Sequence, residues 1–492
     1  MTENPIIRDY FLEETRPEYE PRYTMGDVGI GYLFADWSKG FARFCPQKSS
    51  WFVYDGAVWK EDTENLLIAE YAKQFYVHLA DYADNLERAD CYGPFVNRAH
   101  NLHNRNRRDV MIKDAKSVHP VTLEEFDRDP YLFNVANGTF DFHPEMMKFK
   151  EHDPEDLLTK MSPVVYDSSA RCERFESFID EVTCGDRELA AFLRKSIGYG
   201  LLGDKSQECL FILYGATTRN GKGTLMETLL KVAGDYGVTS NPEFLASHFS
   251  AGGDRPSEQI ARLKGKRLNN ISEPPKQLVL DGALIKRLTG GDTVTARFLN
   301  ENSFEFENVS KVFINTNYLP VVNDMTLFDS GRIKLIPFNR HFGEEEQDRT
   351  LKARFAEPEN LSGILNWCVT GVVDYLDEGL KMPQASLDAI ASYSKESDLM
   401  SNFLNDMVTA DKDGEIKTSV LYKDYKLWCR DNGYEPENQS AFKSSLQRFF
   451  PVMQKRPKIG GNPTTMVCNC RYKDYEQTNI EELPNPFTEN LA

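Results

Sequence analysis

The sequence contains no unbroken run of about 18 apolar residues, so no membrane-crossing helix is expected. None of its nine cysteines forms a C-x-x-C pair, and Cys468 and Cys470 stand too close together for the common zinc spacing. Its eight histidines show no ligand spacing either; His100 and His103 have nothing nearby to complete a metal site. The opening residues, MTENPIIRDYFLEETRPEYEPRY, are polar and acidic and lack an apolar signal core, which points to the cytoplasm. Positive charge is scarce: 58 Lys and Arg stand against 76 Asp and Glu, a net charge of −18. That excludes a generally basic coat but not a local basic stripe able to bind nucleic acid. Forty per cent hydrophobic and 27 per cent charged residues suit a water-soluble globular chain, and 492 residues suffice for about three domains.

What is present centres on residues 208–224, ECLFILYGATTRNGKGT. The apolar run from Leu210 to Tyr214 reads as a buried strand that leads directly into Gly215. The following loop comprises Gly215, Ala216, Thr217, Thr218, Arg219, Asn220 and Gly221, then Lys222, Gly223 and Thr224, where a helical pattern begins. Strand, glycine loop, lysine and helix make a phosphate-binding loop, with backbone N–H groups aimed at phosphates and Lys222 as a point charge on them. Two features depart from the usual G-x-x-x-x-G-K-[ST] spacing: Ala216 stands where the first glycine belongs, and Gly223 displaces the hydroxyl, which then falls to Thr224. The ligands implied are a nucleotide and magnesium, which the resemblance described below makes ATP and Mg2+.

Residues 1–22 read as a flexible arm, and residues 23–204 as an α+β domain ending in a helical lead-in. Within it, Asp55-Gly56 marks a tight hairpin and Asn137-Gly138 a second turn. Leu67, Tyr71, Phe75, His78 and Leu79 form a helical stripe on which His78 is expected to be packed in the core. Residues 98–116 are locally basic and read first as a solvated helix face, with DNA-backbone contact as the functional alternative. Residues 205–383 are expected to hold the ATPase core. There, Arg267-Leu268-Asn269-Asn270-Ile271-Ser272-Glu273 is a strand ending in a carboxylate, and Lys311-Val312-Phe313-Ile314-Asn315-Thr316-Asn317 is a strand ending in an amide. Between them lie a helix carrying Lys286 and two short strand candidates, TVTARF and FEFE, with Arg297 in the first. Arg332 precedes the buried run IKLIPF, a position that suits a charge clamp on a transferring phosphoryl group.

Taken together, YGATTRNGKGTLM, LKGKRLNNISE, LIKRLTGGDTVTAR, VFINTNYLPVV, FDSGRIKLIPFNRHF and SGILNWCVTG resemble the superfamily 3 helicases. More closely, they resemble the helicase part of the phage and plasmid primase-helicases related to the poxvirus primase-helicase. WFVYDGAVW and NVANGTFDF are similar to the domain that precedes the helicase there, so the resemblance covers most of residues 25–380. It implies an AAA+-like P-loop ATPase working as a ring, usually a hexamer, that moves 3′ to 5′ on DNA. By position it makes Lys222 and Thr224 part of the Walker A element and Glu273 the Walker B carboxylate, with Thr224 and Glu273 on the magnesium of Mg-ATP. It makes Asn317 the sensor amide and Arg332 the finger reaching a neighbour's ATP, and lays Lys286 and Arg297 on DNA. Ser272 stands where many P-loop ATPases have an aspartate, so Glu273 would act alone.

No clustered aspartates suited to two-metal primer synthesis precede residue 205, so priming is expected on a separate primase or initiator. Residues 384–475 read as a linker helix and a winged-helix-like DNA-binding domain. From Lys443 to Lys473 it is basic until Asp474, and Lys443, Lys455, Arg456 and Lys458 are its candidate DNA contacts. Residues 476–492 form an acidic tail expected to be disordered. The leading expectation is an ATP-dependent DNA helicase for replication of a phage or mobile element. The alternative is an ATP-switched, origin-binding initiator that does not unwind processively; a nucleotide kinase, prompted by Gly-Lys-Gly-Thr, fits the downstream pieces poorly.

Overall fold

Leu210–Tyr214, Gly237–Ser240, Leu268–Ser272, Lys311–Thr316 and Ile333–Pro337 pair into one five-stranded sheet. In space the order is 333–337, 210–214, 311–316, 268–272, 237–240, and every neighbouring pair is parallel. The central strands are buried, which is why LFILY and KVFINT read as near-continuous apolar runs. The edge strand, GVTS, has too little apolar character to be seen in the sequence. These features come from a computed structural model that describes residues 10–23, 26–86, 92–246, 258–276, 278–297, 303–434, 436–455 and 463–473. The chain divides into two units, Met1–Val321 with Thr326–Ile390, and Val322–Met325 with Ala391–Ala492.

In the first unit, one apolar core lies around the sheet. Leu225, Met226 and Leu229 of helix Lys222–Ala233 contribute to it, as do Phe192, Leu193 and Ile197 of helix Arg187–Leu201. Ile364, Leu365 and Cys368 of helix Pro358–Glu378 belong to the same cluster. So do Phe133 and Phe140 of the hairpin Leu132–Val135/Gly138–Asp141. The packing therefore does not break near residue 205, where the sequence suggested a boundary; the lead-in helices and this hairpin are built into the sheet's own core.

A second core precedes it, running from Phe11 to Phe126 and rich in rings: Phe34, Trp37, Phe41 and Phe75 stack edge-on or tilted upon one another. Beside them lies a sheet of Ala42–Cys45, Ser50–Tyr54 and Trp59–Glu61. Its turn forms at Asp55-Gly56 as expected, with Asp55 Oδ1 accepting from the backbone N–H of Ala57 and Val58. The arm expected over residues 1–22 is partly folded: Phe11–Thr15 is a helix whose Phe11 and Leu12 are buried in this core. Residues 1–9 lie outside the described residues. Helix Leu66–Asp84 buries Ile68, Ala72, Phe75, Leu79 and Ala83. The expected stripe was thus displaced by one residue at its start: Leu67 is exposed, and His78 is exposed rather than packed in the core. The basic stretch 98–116 forms helices Tyr92–Asn101 and Arg105–Ala115. Arg107 pairs with Asp27, and Arg108 donates to the carbonyls of Leu102 and His103, a solvated face holding local contacts.

The second unit has its own core around Phe403, Tyr425, Phe442 and Leu446. Its elements run Leu399–Met407 (helix), Val408–Lys417 (strand), Thr418–Asp431 and Gln439–Leu446 (helices), then Val452–Lys455 and Thr464–Tyr472 (strands). The last strand lies between the other two in an antiparallel sheet. The strand Val408–Lys417 (VTADKDGEIK) is mostly polar and was not anticipated. The expected tail, residues 476–492, lies outside the described residues.

Candidate functional site

The parallel sheet brings the carboxyl ends of its strands together, the position where open α/β sheets bind ligands. Tyr214 ends the first strand, and Gly215 opens a loop that returns to helix Lys222–Ala233. Two positions in that loop admit only glycine. A Cβ on Gly215 would lie 2.2 Å from the Asn220 side-chain nitrogen and 2.5 Å from the Phe338 carbonyl oxygen. Gly221 caps the helix at φ +87°, and a Cβ there would lie 2.5 Å from Val182 Cγ1. Asn220 is buried and clips the loop internally, its Nδ2 donating to the Thr217 carbonyl at 2.6 Å. The segment after strand Ile333–Pro337 braces it from outside. Phe342 N–H donates to the Arg219 carbonyl at 2.9 Å, and His341 Nδ1 lies 2.8 Å from the Thr218 carbonyl. Ala216, Thr217, Thr218 and Arg219 are exposed. Gly223 has open space around its missing Cβ.

Lys222 is only 3% exposed. Its Nζ donates to Asn220 Oδ1 and to Asn317 Oδ1, each at 2.8 Å, and to the Gly215 carbonyl at 3.4 Å. All three acceptors are neutral, and no carboxylate among the described residues forms an ion pair with this ammonium. Burial pushes its pKa down to about 8, partly offset by the carboxylate of Glu273. Glu273 follows strand Leu268–Ser272 and is exposed; its N–H donates to the Asn315 carbonyl at 2.9 Å. Its backbone is left-handed at φ +50°, an uncommon conformation for a residue other than glycine. Thus Gly215, Asn220, Gly221, Lys222, Glu273 and Asn317 are gathered at one end of the sheet from three separate strand ends. Thr224 lies in the first helical turn, where backbone N–H groups lack intrahelical partners.

Beside the loop opens a cavity of about 220 Å³, lined by Phe178, Gly221, Thr224, Phe342, Gln347 and Leu351, among others. The contributions of helix Glu173–Val182 and of residues 342–351 were missed in the sequence. They carry no motif and reach the loop only through the chain's long-range folding.

Arg332 is not at this end. It precedes Ile333, which pairs with Leu210 at the amino end of the sheet, roughly 17 Å from the carboxyl end for a five-residue strand. Its guanidinium pairs with Glu208 at 2.6 Å and donates to Thr289 Oγ1 at 2.7 Å. Of the residues expected on DNA, Lys286 is half-buried in helix Gly282–Thr289, and Arg297 is exposed just past strand Thr293–Ala296. That strand pairs antiparallel with Phe304–Glu307. In the second unit Lys443 is half-buried on helix Gln439–Leu446, whereas Lys455 is engaged in an ion pair with Glu415. Arg456 and Lys458 lie outside the described residues. Other basic residues of that stretch are also paired: Arg448 with Asp398 and Arg471 with Asp411.

Known proteins match the chain in three segments. The family described as D5 N terminal like matches residues 31–184, poxvirus D5 protein-like matches 395–485, and a family of unknown function matches 213–332. A protein of Acanthamoeba polyphaga mimivirus provisionally named a helicase (L207/L206) is 24% identical over 409 residues, covering 78% of this chain and 42% of the relative. Primase D5 of fowlpox virus is 28% identical over 285 residues, covering 52% of this chain and 33% of its own length. The chain therefore spans well under half the length of these curated relatives. A solved structure titled the apo structure of NrS-1 C terminal region aligns with 90% of this chain at 12% identity and a TM-score of 0.46. Among the described residues no helix is long and apolar enough to cross a membrane. In sequence, the strands of the parallel sheet thus lie between a segment that matches the D5 N terminal like family and one that matches the poxvirus D5 protein-like family, and the chain is similar to viral proteins named as a helicase and as primase D5.

Proposed function

We propose that this chain is an ATP-hydrolysing DNA helicase subunit with a P-loop, AAA+-like core, acting in replication of a virus or mobile element. The carrying observation is the buried Lys222 ammonium, held by neutral oxygens alone at the carboxyl ends of a parallel sheet. A buried cation without a counter-charge is costly unless an anion completes it. The unpaired N–H groups of the first helical turn offer the same anion a second partner. The donor set fits Mg-ATP: loop and Lys222 for the phosphates, the Thr224 hydroxyl and Glu273 for the metal shell. The cavity beside Phe178 and Phe342 lies where the nucleoside would extend from the loop. Bound Mg-ATP supplies the phosphoryl group and neutralises its charge. The chain's own part is to orient a water with Glu273 and Asn317, keep Lys222 on the phosphates, and lend Arg332 to a neighbour. Because Arg332 sits at the far end of the sheet, its route to a nucleotide runs across a subunit boundary, which supports a ring; that the ring is a hexamer moving 3′ to 5′ rests on the family resemblance alone.

The helix–strand–helix–helix–strand–strand order of the second unit supports a winged-helix-like DNA-binding module. The same feature favours one competing reading, an origin-binding initiator that switches on ATP without unwinding processively. Priming would come from a separate chain or from parts of longer relatives that this sequence does not span.

Strand displacement on forked DNA with a 3′ or a 5′ loading tail, with ATP and magnesium, tests both readings. Unwinding from the 3′ tail, lost in Lys222→Ala and Arg332→Ala, is the expected result. DNA-stimulated hydrolysis without displacement on any substrate would instead favour the initiator, or a helicase that needs a separate loader.

A further inference from the structure

We propose that Glu208 and Thr289 are positioning residues for Arg332. They hold its guanidinium against the helix that feeds the Thr293–Ala296/Phe304–Glu307 hairpin until a neighbouring subunit's nucleotide draws it away. The proposal rests on the reading of Arg332 as an arginine supplied across the subunit boundary.

Both arms of the guanidinium are engaged. Nη2 pairs with Glu208 Oε2 at 2.6 Å, and Nη1 donates to Thr289 Oγ1 at 2.7 Å and weakly to the Glu208 carbonyl at 3.5 Å. Thr289 is oriented for this role. Its hydroxyl donates to the Ile285 carbonyl at 2.8 Å, which leaves its lone pairs toward the arginine. Thr289 is the last residue of helix Gly282–Thr289, and Lys205 Nζ donates to the carbonyl of Gly290 directly after it. Two cations therefore seat on the carbonyl end of one helix, where the helix dipole favours positive charge. Strand Thr293–Ala296 begins immediately beyond. Glu208 in turn belongs to the turn entering strand Leu210–Tyr214, which carries the phosphate loop at its other end; its backbone is left-handed at φ +42°.

Arg332 thus joins the root of the phosphate-loop strand to the root of the hairpin. Its tether is releasable from the carboxylate side: the Glu208 side chain is 53% exposed against 17% for Arg332, so water competes for the carboxylate and weakens the pair. A terminal phosphate carries more charge and presents pairs of oxygens that the planar guanidinium can engage bidentately, and so can outcompete it. Drawing Arg332 onto a neighbour's nucleotide removes one of the two cations from the helix end and loosens the hairpin's root. By linkage, a hairpin displaced by DNA frees the arginine in return.

The test uses the full chain and measures ATP turnover against protein concentration, with and without single-stranded DNA. Glu208→Gln should reach half-maximal turnover at a several-fold lower protein concentration, because the arginine is no longer held back. Thr289→Val should likewise reach half-maximal turnover at a lower protein concentration and should lose DNA stimulation, and Thr289→Ser should reverse both; a merely structural hydroxyl would lower turnover with and without DNA together. Thermal unfolding of each variant establishes that it is folded, and if Glu208→Gln does not fold, the Thr289 pair decides alone. An unchanged concentration dependence in Glu208→Gln, or full DNA stimulation in Thr289→Val, overturns the proposal. Mixing Lys222→Ala with Arg332→Ala separates the two levels. Restored turnover in the mixture supports the arginine acting between subunits even if the positioning role fails, whereas an active Arg332→Ala overturns the reading beneath it.

Discussion

Replacing Lys222 by methionine keeps most of the side chain's volume and removes its charge, and the structure gives opposite signs for stability and function. An ammonium pushed from its ordinary 10.5 to about 8 by burial has lost ~3 kcal/mol of stabilisation as a cation. Methionine removes that penalty but leaves the amide oxygens of Asn220 and Asn317 without their donor, at ~1 kcal/mol each. The net expectation at pH 7 is a variant more stable by ~1 kcal/mol, or about 1 °C in melting temperature for a unit of this size. The pH dependence sharpens this. The folded-state pKa lies below the unfolded one, so the penalty is full below about pH 8 and is relieved as pH rises towards 10.5. The wild type should therefore gain on the variant with rising pH, the two melting curves crossing between about pH 8.5 and 9.5. Magnesium and ATP should stabilise the wild type by ~2.7 kcal/mol at a hundred times Kd and leave Lys222→Met unmoved, and ATP turnover should vanish in the variant. Thermal melts from pH 6.5 to 10, with and without Mg-ATP, read all of this. A variant that melts several degrees lower at every pH, or that keeps the full ATP shift, refutes the argument that an unneutralised cation waits for an anion here.

Three further outcomes follow from the same site and from the second unit. Gly221→Ala should cost at least ~2 kcal/mol, through its left-handed backbone and the contact with Val182, whereas Gly223→Ala, with open space in a helix, should raise the melting temperature by the equivalent of ~0.5–1 kcal/mol; melts of the two variants side by side check the contrast. Nucleotide binding should take up a proton above about pH 8, with affinity falling up to tenfold per pH unit there, because phosphates favour the charged Lys222; calorimetry in buffers of different ionisation enthalpy measures the uptake. Lys443→Gln should lower the salt slope of DNA binding by about one, while Lys455→Gln, already paired with Glu415, should change it less; equal effects would count against the pairing as the deciding factor.

Local chemistry carried the motif strands. Leu210–Tyr214, Lys311–Thr316 and Ile333–Pro337 stand where apolar runs announce them, because strands buried in a parallel sheet need apolar side chains on both faces. The strands Gly237–Ser240 and Val408–Lys417 carry no such run and did not announce themselves. The helical stripe held at Phe75 and Leu79, where Phe75 packs on Phe34 and Trp37, but its first turn was misplaced: Ile68 and Ala72 are buried and Leu67 is exposed, since that turn offers apolar side chains on either face and only packing selects one. The segment around Phe11 looked like an arm because its charges outnumber its apolar residues; a partner core is needed to show that two buried side chains suffice to dock it.

By itself, then, the sequence determined the glycine loop, the lysine within it and the order of the strand-end residues Glu273, Asn317 and Arg332, since each depends on residue type and on neighbours along the chain. Tertiary structure decided which of these meet. Parallel pairing places Lys222, Asn317 and Glu273 at one end of the sheet and Arg332 at the other, and strand direction and register are set by contacts between residues far apart in sequence. The same long-range packing, not any motif, put Phe178 and Phe342 beside the loop and Glu208 and Thr289 on the arginine.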